Sequence, residues 1–227
     1  MGSTDNLIVY GNRESDIALL QVTGTHELDH LEKEYELIRK ASSADFCLTC
    51  LRVDDWNKNL SPWEAPAVFG KENFGGGAND TLNMITESVL PRILVGRASN
   101  EVKLYIGGYS LAGLFALWSV YQTDAFAGCA AASPSVWFPK FTDYIKTHDI
   151  RTNKVYLSLG DAEEKTKNTV MKTVGQSIRD IGEDLKTKTE CVLEWNRGGH
   201  FKDTEMRLAK GFTWLLNNGG SVLSNGK

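Results

Sequence analysis

A chain of 227 residues is long enough for one large domain with a sizeable core, or for two small ones. With 41% hydrophobic and 24% charged residues it has the composition of an ordinary globular protein. A formal net charge of −4, with no run of Lys or Arg, argues against a nucleic-acid partner or an anionic membrane surface.

The N-terminal segment MGSTDNLIVYGNRESD has no basic region followed by a long apolar stretch, so no signal peptide is expected. No apolar run approaches the roughly 20 residues that span a bilayer. Two strands are expected first, LIVY (7–10) and IALLQVTG (17–24). Leu28, Leu31, Tyr35 and Ile38 then form the stripe of an amphipathic helix. A third strand, DFCLTCLRV (45–53), carries Cys47 and Cys50 as a CxxC pair. Three residues apart on a strand, the two side chains point to opposite faces and cannot share a metal. They read as reduced core thiols, together with Cys129 and Cys191, in a cytoplasmic protein.

Residues 54–80 form a long irregular connection. Segments of that length in a compact domain are usually functional or disordered. Trp56, Trp63, Phe69 and Phe74 argue against disorder, so the segment is expected to be a packed wall over a site. Its Gly75–Gly77 triplet lacks the Lys-Ser/Thr of a phosphate-binding loop and reads as a flexible turn. Asp54 and Asp55 have no matching His or carboxylate cluster nearby in sequence, which disfavours a metal site. Residues 81–94 look helical, with Pro91 expected to kink or end the helix. Strands follow at 102–108, 126–133, 154–160 and 189–195, several of them apolar throughout, as in strands covered on both faces. Between the last two, Met171, Val174, Ile178, Ile181 and Leu185 mark a helix over 166–186; Met206, Ala209, Phe212 and Leu216 mark a C-terminal one. Strand–helix alternation with no repeat or linker predicts one α/β domain over 1–227 with a mainly parallel sheet.

The stretch IGGYSLAGLFALW places Ser110 where an apolar strand ends and an apolar helix begins. In an open α/β sheet, ligands bind outside the carboxyl ends of the strands. A tight strand–turn–helix crowds the residues two before and two after its apex, and here these are the small Gly108 and Ala112. The pattern is close to G-x-S-x-G, with Ala in the last position. It does not fit G-x-G-x-x-G, which disfavours a dinucleotide site. A serine nucleophile needs a base, and the base an orienting acid. His200, in a glycine-containing loop directly after the last strand, is the candidate base; His148 precedes a strand and so sits on the opposite edge. The acid candidates are Asp161, Glu163 and Glu164, just after the strand at 154–160. Asp161 is placed to cap the turn and Glu164 to favour a helix dipole. Glu163 has chain enough to turn toward His200, and is the expected acid. The Leu111 backbone N–H, at a helix N-terminus, suits one oxyanion donor. Trp56, Trp63, Trp137 and Phe138 fall in loops at the expected rim, either packing on one another or walling a cleft for an ester.

The motifs IGGYSLAGLFALW, AASPSVWF, LSLGDAEEKTKN and GGHF, with the VDDWN…LSPWEAP…FGGGA loop, resemble α/β-hydrolases of the putative-esterase type, the group of esterase D-like and enterobactin-esterase-like proteins. The resemblance spans nearly the whole chain. It implies an α/β-hydrolase fold with a minimal cap, and a serine esterase with Ser110 as nucleophile and His200 as base. In such folds the second oxyanion donor comes from the loop after the third strand, which places it at a backbone N–H near Asp55 or Trp56. It also implies a small-molecule ester as substrate and no metal or organic cofactor. Thioesterase, peptidase or acyltransferase chemistry on the same residues, or a non-catalytic binding module, are the alternatives it leaves open.

Overall fold

The computed structural model describes residues 6–96 and 101–217; the two ends of the chain, with the first five residues of the N-terminal segment, lie outside the described residues. Strands β1 (Leu7–Gly11), β2 (Ile17–Gly24) and β3 (Cys47–Val53) are joined by helix α1 (Leu31–Ala41). A short helix α2 (Trp56–Leu60) and a two-residue pair, β4 (Glu64–Ala65) with β5 (Phe74–Gly75), follow. Then come α3 (Ala78–Met84), α4 (Leu90–Ile93), β6 (Lys103–Tyr109), α5 (Leu111–Gln122) and β7 (Gly128–Ala132). The chain ends with α6 (Phe141–Thr147), β8 (Lys154–Gly160), α7 (Val174–Lys188), β9 (Glu190–Asn196) and α8 (Thr204–Asn217).

Seven strands form one sheet in the order β1-β3-β2-β6-β7-β8-β9. Only β1 runs antiparallel to its neighbour; the other pairs are parallel. All seven expected strands are present. Their side chains alternate between two cores: Ala18, Leu20 and Val22 point to one, and Leu19 to the other. Helices α1 and α8 cover the second face, with Leu31, Ile38, Leu208 and Phe212 against the sheet. Helices α3 to α7 cover the first. A fully buried side chain of this size contributes about 1.5–3 kcal/mol, so both faces contribute to holding the sheet. Cys50 lies in the α1–α8 core, whereas Cys47 faces the other way beside Leu7 and Val9, as the spacing on a strand requires. The four cysteines are free thiols.

Three sequence expectations shift. The helix at 81–94 begins at Ala78 and widens into a π turn over Ile85–Val89, where the Leu90 N–H reaches the Ile85 carbonyl. Pro91 sits just after that turn; its ring and missing N–H are incompatible with a regular bond to Glu87, and the wider turn relieves this. The helix expected over 166–186 starts at Val174, after a 3₁₀ turn, and runs to Lys188. The Gly75–Gly77 turn is tightly packed rather than loose. Gly76 has φ 71°, and a Cβ on it would lie 2.7 Å from the Glu64 nitrogen.

The 54–80 segment is packed by its aromatics, as expected. The Trp63 indole N–H donates to the Pro139 carbonyl at 3.0 Å, and its ring lies against Phe138, Phe141 and Tyr144. Phe74 and Phe69 pack on Trp137. Between β7 and β8 the connection holds only the short α6, so no large cap covers the carboxyl ends of the strands. Among the described residues, no helix is long and apolar enough to cross a membrane.

Candidate active site

Strand β6 ends at Tyr109 and α5 starts at Leu111, leaving Ser110 alone at the apex of the turn. Its backbone is forced to φ 58°, ψ −120°, a conformation that costs a non-glycine residue about 1–3 kcal/mol. Three bonds hold it there. The Ser110 N–H donates to the Ala132 carbonyl at 3.1 Å, and the Ser110 carbonyl accepts from Leu114 and Ser135 N–H, both at 3.0 Å. Gly108 makes the turn possible: a Cβ on it would sit 2.6 Å from the Ala112 carbonyl group. The alanine in place of the usual glycine is accommodated because Gly108 opposite it has no side chain. Helix α5 is buried from Leu111 to Tyr121, so the whole elbow is anchored in the core.

The turn after β8 returns on itself. Glu163 N–H donates to the Gly160 carbonyl at 3.1 Å, and Gly160 N–H donates to Glu163 Oε1 at 2.7 Å. Glu163 is therefore folded inward, its side chain 5% exposed. The loop after β9 brings His200 to the same place. His200 Nδ1 lies 2.7 Å from Glu163 Oε2, and His200 Nε2 lies 2.9 Å from Ser110 Oγ. The structure thus brings Ser110, His200 and Glu163 into one hydrogen-bonded line. Burial pushes the Glu163 carboxyl up, but the bond and charge of His200, with the Gly160 and Ser133 bonds, bring it below the usual carboxylate range. It is ionised at neutral pH.

The other acid candidates are engaged elsewhere. Asp161 Oδ1 accepts from the Gly198 N–H at 2.8 Å, so it ties its turn to the loop after β9 rather than capping the turn itself. Glu164 pairs with Arg179 at 3.2 Å and lies against Gly175 in the first turn of α7, although it precedes that helix by ten residues. His148 closes α6 and stacks on Tyr144, on the opposite edge of the sheet.

Leu111 opens α5, and N–H groups in the first turn of a helix have no intrahelical acceptor. The other expected donor, near Asp55 or Trp56, follows β3, which is not adjacent to β6. Strand β2 lies between them, with Val22 level with Gly108, so the Gly24–Thr25 turn is the direct neighbour of the elbow. The Asp55 side chain caps α2, accepting from the Lys58 N–H at 3.0 Å. Trp56 packs edge-on against His26 of the β2 loop, with ring centroids 4.8 Å apart. Trp63 and Trp137 are used in packing the long loop. Phe201, beside His200, is 91% exposed. Among the described residues, no group of three or more His, Cys, Asp or Glu is arranged to hold a metal.

Sequence reading missed three residues around Glu163. Ser133, held at φ 43°, donates its hydroxyl to Glu163 Oε1 at 2.8 Å. Tyr109 donates its hydroxyl to the His200 carbonyl at 2.6 Å. Arg207, 1% exposed, reaches Glu163 Oε1 at 2.8 Å. The stripe read on α8 is buried at Ala209, Phe212 and Leu216 but not at Met206, which is 39% exposed; the buried face also takes in Arg207, Gly211 and Leu215, four residues apart. That spacing of four was the available signal.

A family model described as "Putative esterase" matches residues 16–209. Among curated proteins, the uncharacterised YbbA of Bacillus subtilis (strain 168) is 22% identical over 184 residues, 76% of this chain and 72% of its own. An IroE-like serine hydrolase from Shewanella oneidensis superimposes with a TM-score of 0.76 at 14% identity, over 93% of this chain and 75% of its own. The siderophore hydrolase EstB from Aspergillus nidulans does so with a TM-score of 0.71 at 16% identity, over 95% of this chain and 91% of its own. At such identities the likeness is one of fold, an α/β-hydrolase sheet flanked by helices. The family match is broader evidence, since it runs from β2 to α8 and takes in Ser110, Glu163 and His200. The chain belongs to the putative esterase family.

Proposed function

We propose that this protein is a serine-dependent carboxylic-ester hydrolase, with Ser110 as nucleophile, His200 as general base and Glu163 as the orienting acid. The observation that carries this reading is the line from Ser110 Oγ through His200 to Glu163, at 2.9 and 2.7 Å, at the carboxyl edge of the sheet. Ser110 Oγ attacks the ester carbonyl while His200 Nε2 takes its proton. Glu163, ionised, holds the proton on Nδ1 and stabilises the imidazolium. The tetrahedral oxyanion is received by the Leu111 N–H and by a second backbone N–H. Adjacency in the sheet favours the Gly24–Thr25 turn over Asp55 for that second donor. His200 then returns its proton to the departing alcohol, and water, activated by the same imidazole, releases the acid from the acyl-serine.

The substrate class is a small-molecule ester, entering a site without a large cap and flanked by Trp56. The 1–227 chain acts as one domain, with 54–80 as a wall packed through Trp63 and Trp137. A fluorophosphonate probe with peptide mapping, alongside hydrolysis of a panel of esters, thioesters and amides, tests this. Labelling of Ser110 with preferential ester turnover is expected. A protein that takes no label and turns over no member of the panel would be a binding module instead.

A further inference from the structure

Arg207 is a fully buried guanidinium with contacts to two catalytic loops at once. Its Nη1 lies 2.8 Å from Glu163 Oε1, 3.1 Å from Ser133 Oγ and 3.2 Å from the Tyr109 hydroxyl. Its Nη2 donates to the Gly199 carbonyl at 2.9 Å, one residue before His200. Tyr109, directly before Ser110, accepts from Arg207 and donates to the next carbonyl, that of His200. Burial pushes the Tyr109 phenol up to about 12, so it remains a donor at any working pH. The successive carbonyls of Gly199 and His200 are thus held by Arg207 and by Tyr109, which Arg207 itself bonds.

We propose that Arg207 is a positioning residue that locks the Glu163 turn and the His200 loop into one rigid unit. This rests on the triad reading above. A planar fork is required for it, because one nitrogen serves the carboxylate and the other a carbonyl on a different loop. A lysine, a single point donor, reaches one of the two. The arrangement also leaves Arg207 Nε buried without a partner. Such an unpaired group costs about 1–3 kcal/mol, and buried polar groups left unpaired in a folded protein call for a functional reason. Here the guanidinium is oriented by the site it serves rather than by its own full satisfaction. Its anchor is rigid: Arg207 N–H bonds the Asp203 carbonyl at 3.0 Å at the start of α8, and the flanking Leu208 and Ala209 are in the core.

The test compares Arg207→Met, Arg207→Lys and Tyr109→Phe with wild type. The readouts are steady-state hydrolysis of p-nitrophenyl acetate and the rate and final stoichiometry of fluorophosphonate labelling at Ser110. Misplacing a catalytic group by about 1 Å costs on the order of 10²-fold. Arg207→Met should therefore lower kcat and the per-site labelling rate about 10²-fold, with KM within about twofold. Arg207→Lys should recover roughly tenfold of that loss, and Tyr109→Phe should lower kcat about tenfold. A merely structural arginine would instead lower the final labelling stoichiometry while the surviving sites kept the wild-type rate. That pattern would overturn the proposal, as would wild-type rates in all three variants. If circular dichroism shows Arg207→Met unfolded, Arg207→Lys and Tyr109→Phe decide, and wild-type rates in both overturn it. If the wild-type protein takes no label at Ser110, the triad reading itself falls and the proposal falls with it. A labelled wild type with unaffected variants isolates the failure to Arg207.

Discussion

Glu163→Gln tests the site most sharply, because the surroundings dictate how the amide must sit. Glu163 Oε1 accepts from Gly160 N–H, Ser133 hydroxyl and Arg207 Nη1, at 2.7, 2.8 and 2.8 Å. A glutamine that turned its NH₂ toward these three would place donor against donor at both the Gly160 N–H and the Arg207 guanidinium, at a cost of several kcal/mol. It must therefore keep its oxygen there and present its NH₂ to His200 Nδ1. Nδ1 then has to accept, which moves the imidazole proton to Nε2 and leaves nothing on that nitrogen to take the Ser110 proton. The wrong tautomer of a serine triad costs about 10⁴-fold in kcat, so a loss of about 10²–10⁴-fold is expected here, roughly 3–5 kcal/mol of transition-state stabilisation. Stability falls too, because Arg207 loses an ionised buried partner, an effect of about 3–5 kcal/mol. The assay is kcat for p-nitrophenyl acetate in protein shown to be folded by circular dichroism. Two controls share the turn. Asp161→Asn keeps an oxygen for the Gly198 N–H, and Glu164→Gln loses a half-exposed pair with Arg179, so each should change stability by about 1 kcal/mol or less and leave kcat nearly intact. An active Glu163→Gln beside a crippled control would move the acid to that control's position.

Ser110→Ala and His200→Ala should each lower kcat by about 10⁴–10⁶-fold, and the double variant should be little worse than either, because a triad acts as a unit; a His148→Ala enzyme weaker than His200→Ala would displace the base. Gly108→Ala puts a methyl group 2.6 Å from the Ala112 carbonyl, so it should cost about 1–3 kcal/mol and about tenfold in kcat, read by melting and turnover. Ala112→Gly should cost about 1 kcal/mol and keep activity, and the reverse ranking would refute the steric account of the elbow. Glu34 is buried on α1 with one oxygen on the Gln21 amide at 3.0 Å and the other unpaired; burial, with the nearby Glu27 and Glu205, pushes its carboxyl well up against the lowering bond from Gln21. A raised native value means that the stability Glu34 lends is full below the unfolded value of about 4.3 and is lost as pH rises through the native one. Glu34→Gln should therefore change the melting temperature little near pH 4 and raise it at pH 8, by about 2–4 °C per kcal/mol regained; a lower melting temperature at pH 8 would refute this.

The strands were legible because a sheet covered on both faces must be apolar at nearly every position, and β2, β6 and β8 are. The elements that were not legible are those held by contacts distant in sequence. Helix α2 and the β4–β5 pair have no periodicity of their own; Gly76 N–H bonds the Ser61 hydroxyl and Gly77 N–H the Lys58 carbonyl, and these close the loop. The oxyanion donor was placed by counting strands along the chain, whereas the sheet inserts β2 between β3 and β6. Arg207 escaped notice because burial of an arginine depends on its acceptors, and the side chains that serve here, Tyr109, Ser133 and Glu163, are all far from it in sequence.

The acid position, by contrast, is set locally and then locked from outside. The reciprocal bonds between Gly160 and Glu163 close the turn within four residues, which is why a glutamate three after the strand-end glycine points inward. Three further bonds bind that turn to the loop after β9: Asp161 N–H to the Asn196 carbonyl at 2.8 Å, Ala162 N–H to the Gly198 carbonyl at 3.1 Å, and Gly198 N–H to Asp161 Oδ1 at 2.8 Å. The first of these continues the β8–β9 pairing beyond the last paired residues, Gly160 and Asn196. The sheet register therefore propagates directly into the separation between Glu163 and His200. Arg207 adds a tie from α8 on the other side, so backbone and guanidinium bonds support the spacing of Glu163 and His200 beside their own 2.7 Å contact. Ser110 is positioned by the elbow between β6 and α5, which Tyr109 also ties to the His200 carbonyl. The two parts of the site meet at the bonds of His200 with Ser110 and with Tyr109, and their alignment rests on the pairing of β6, β7, β8 and β9, the strands that carry them.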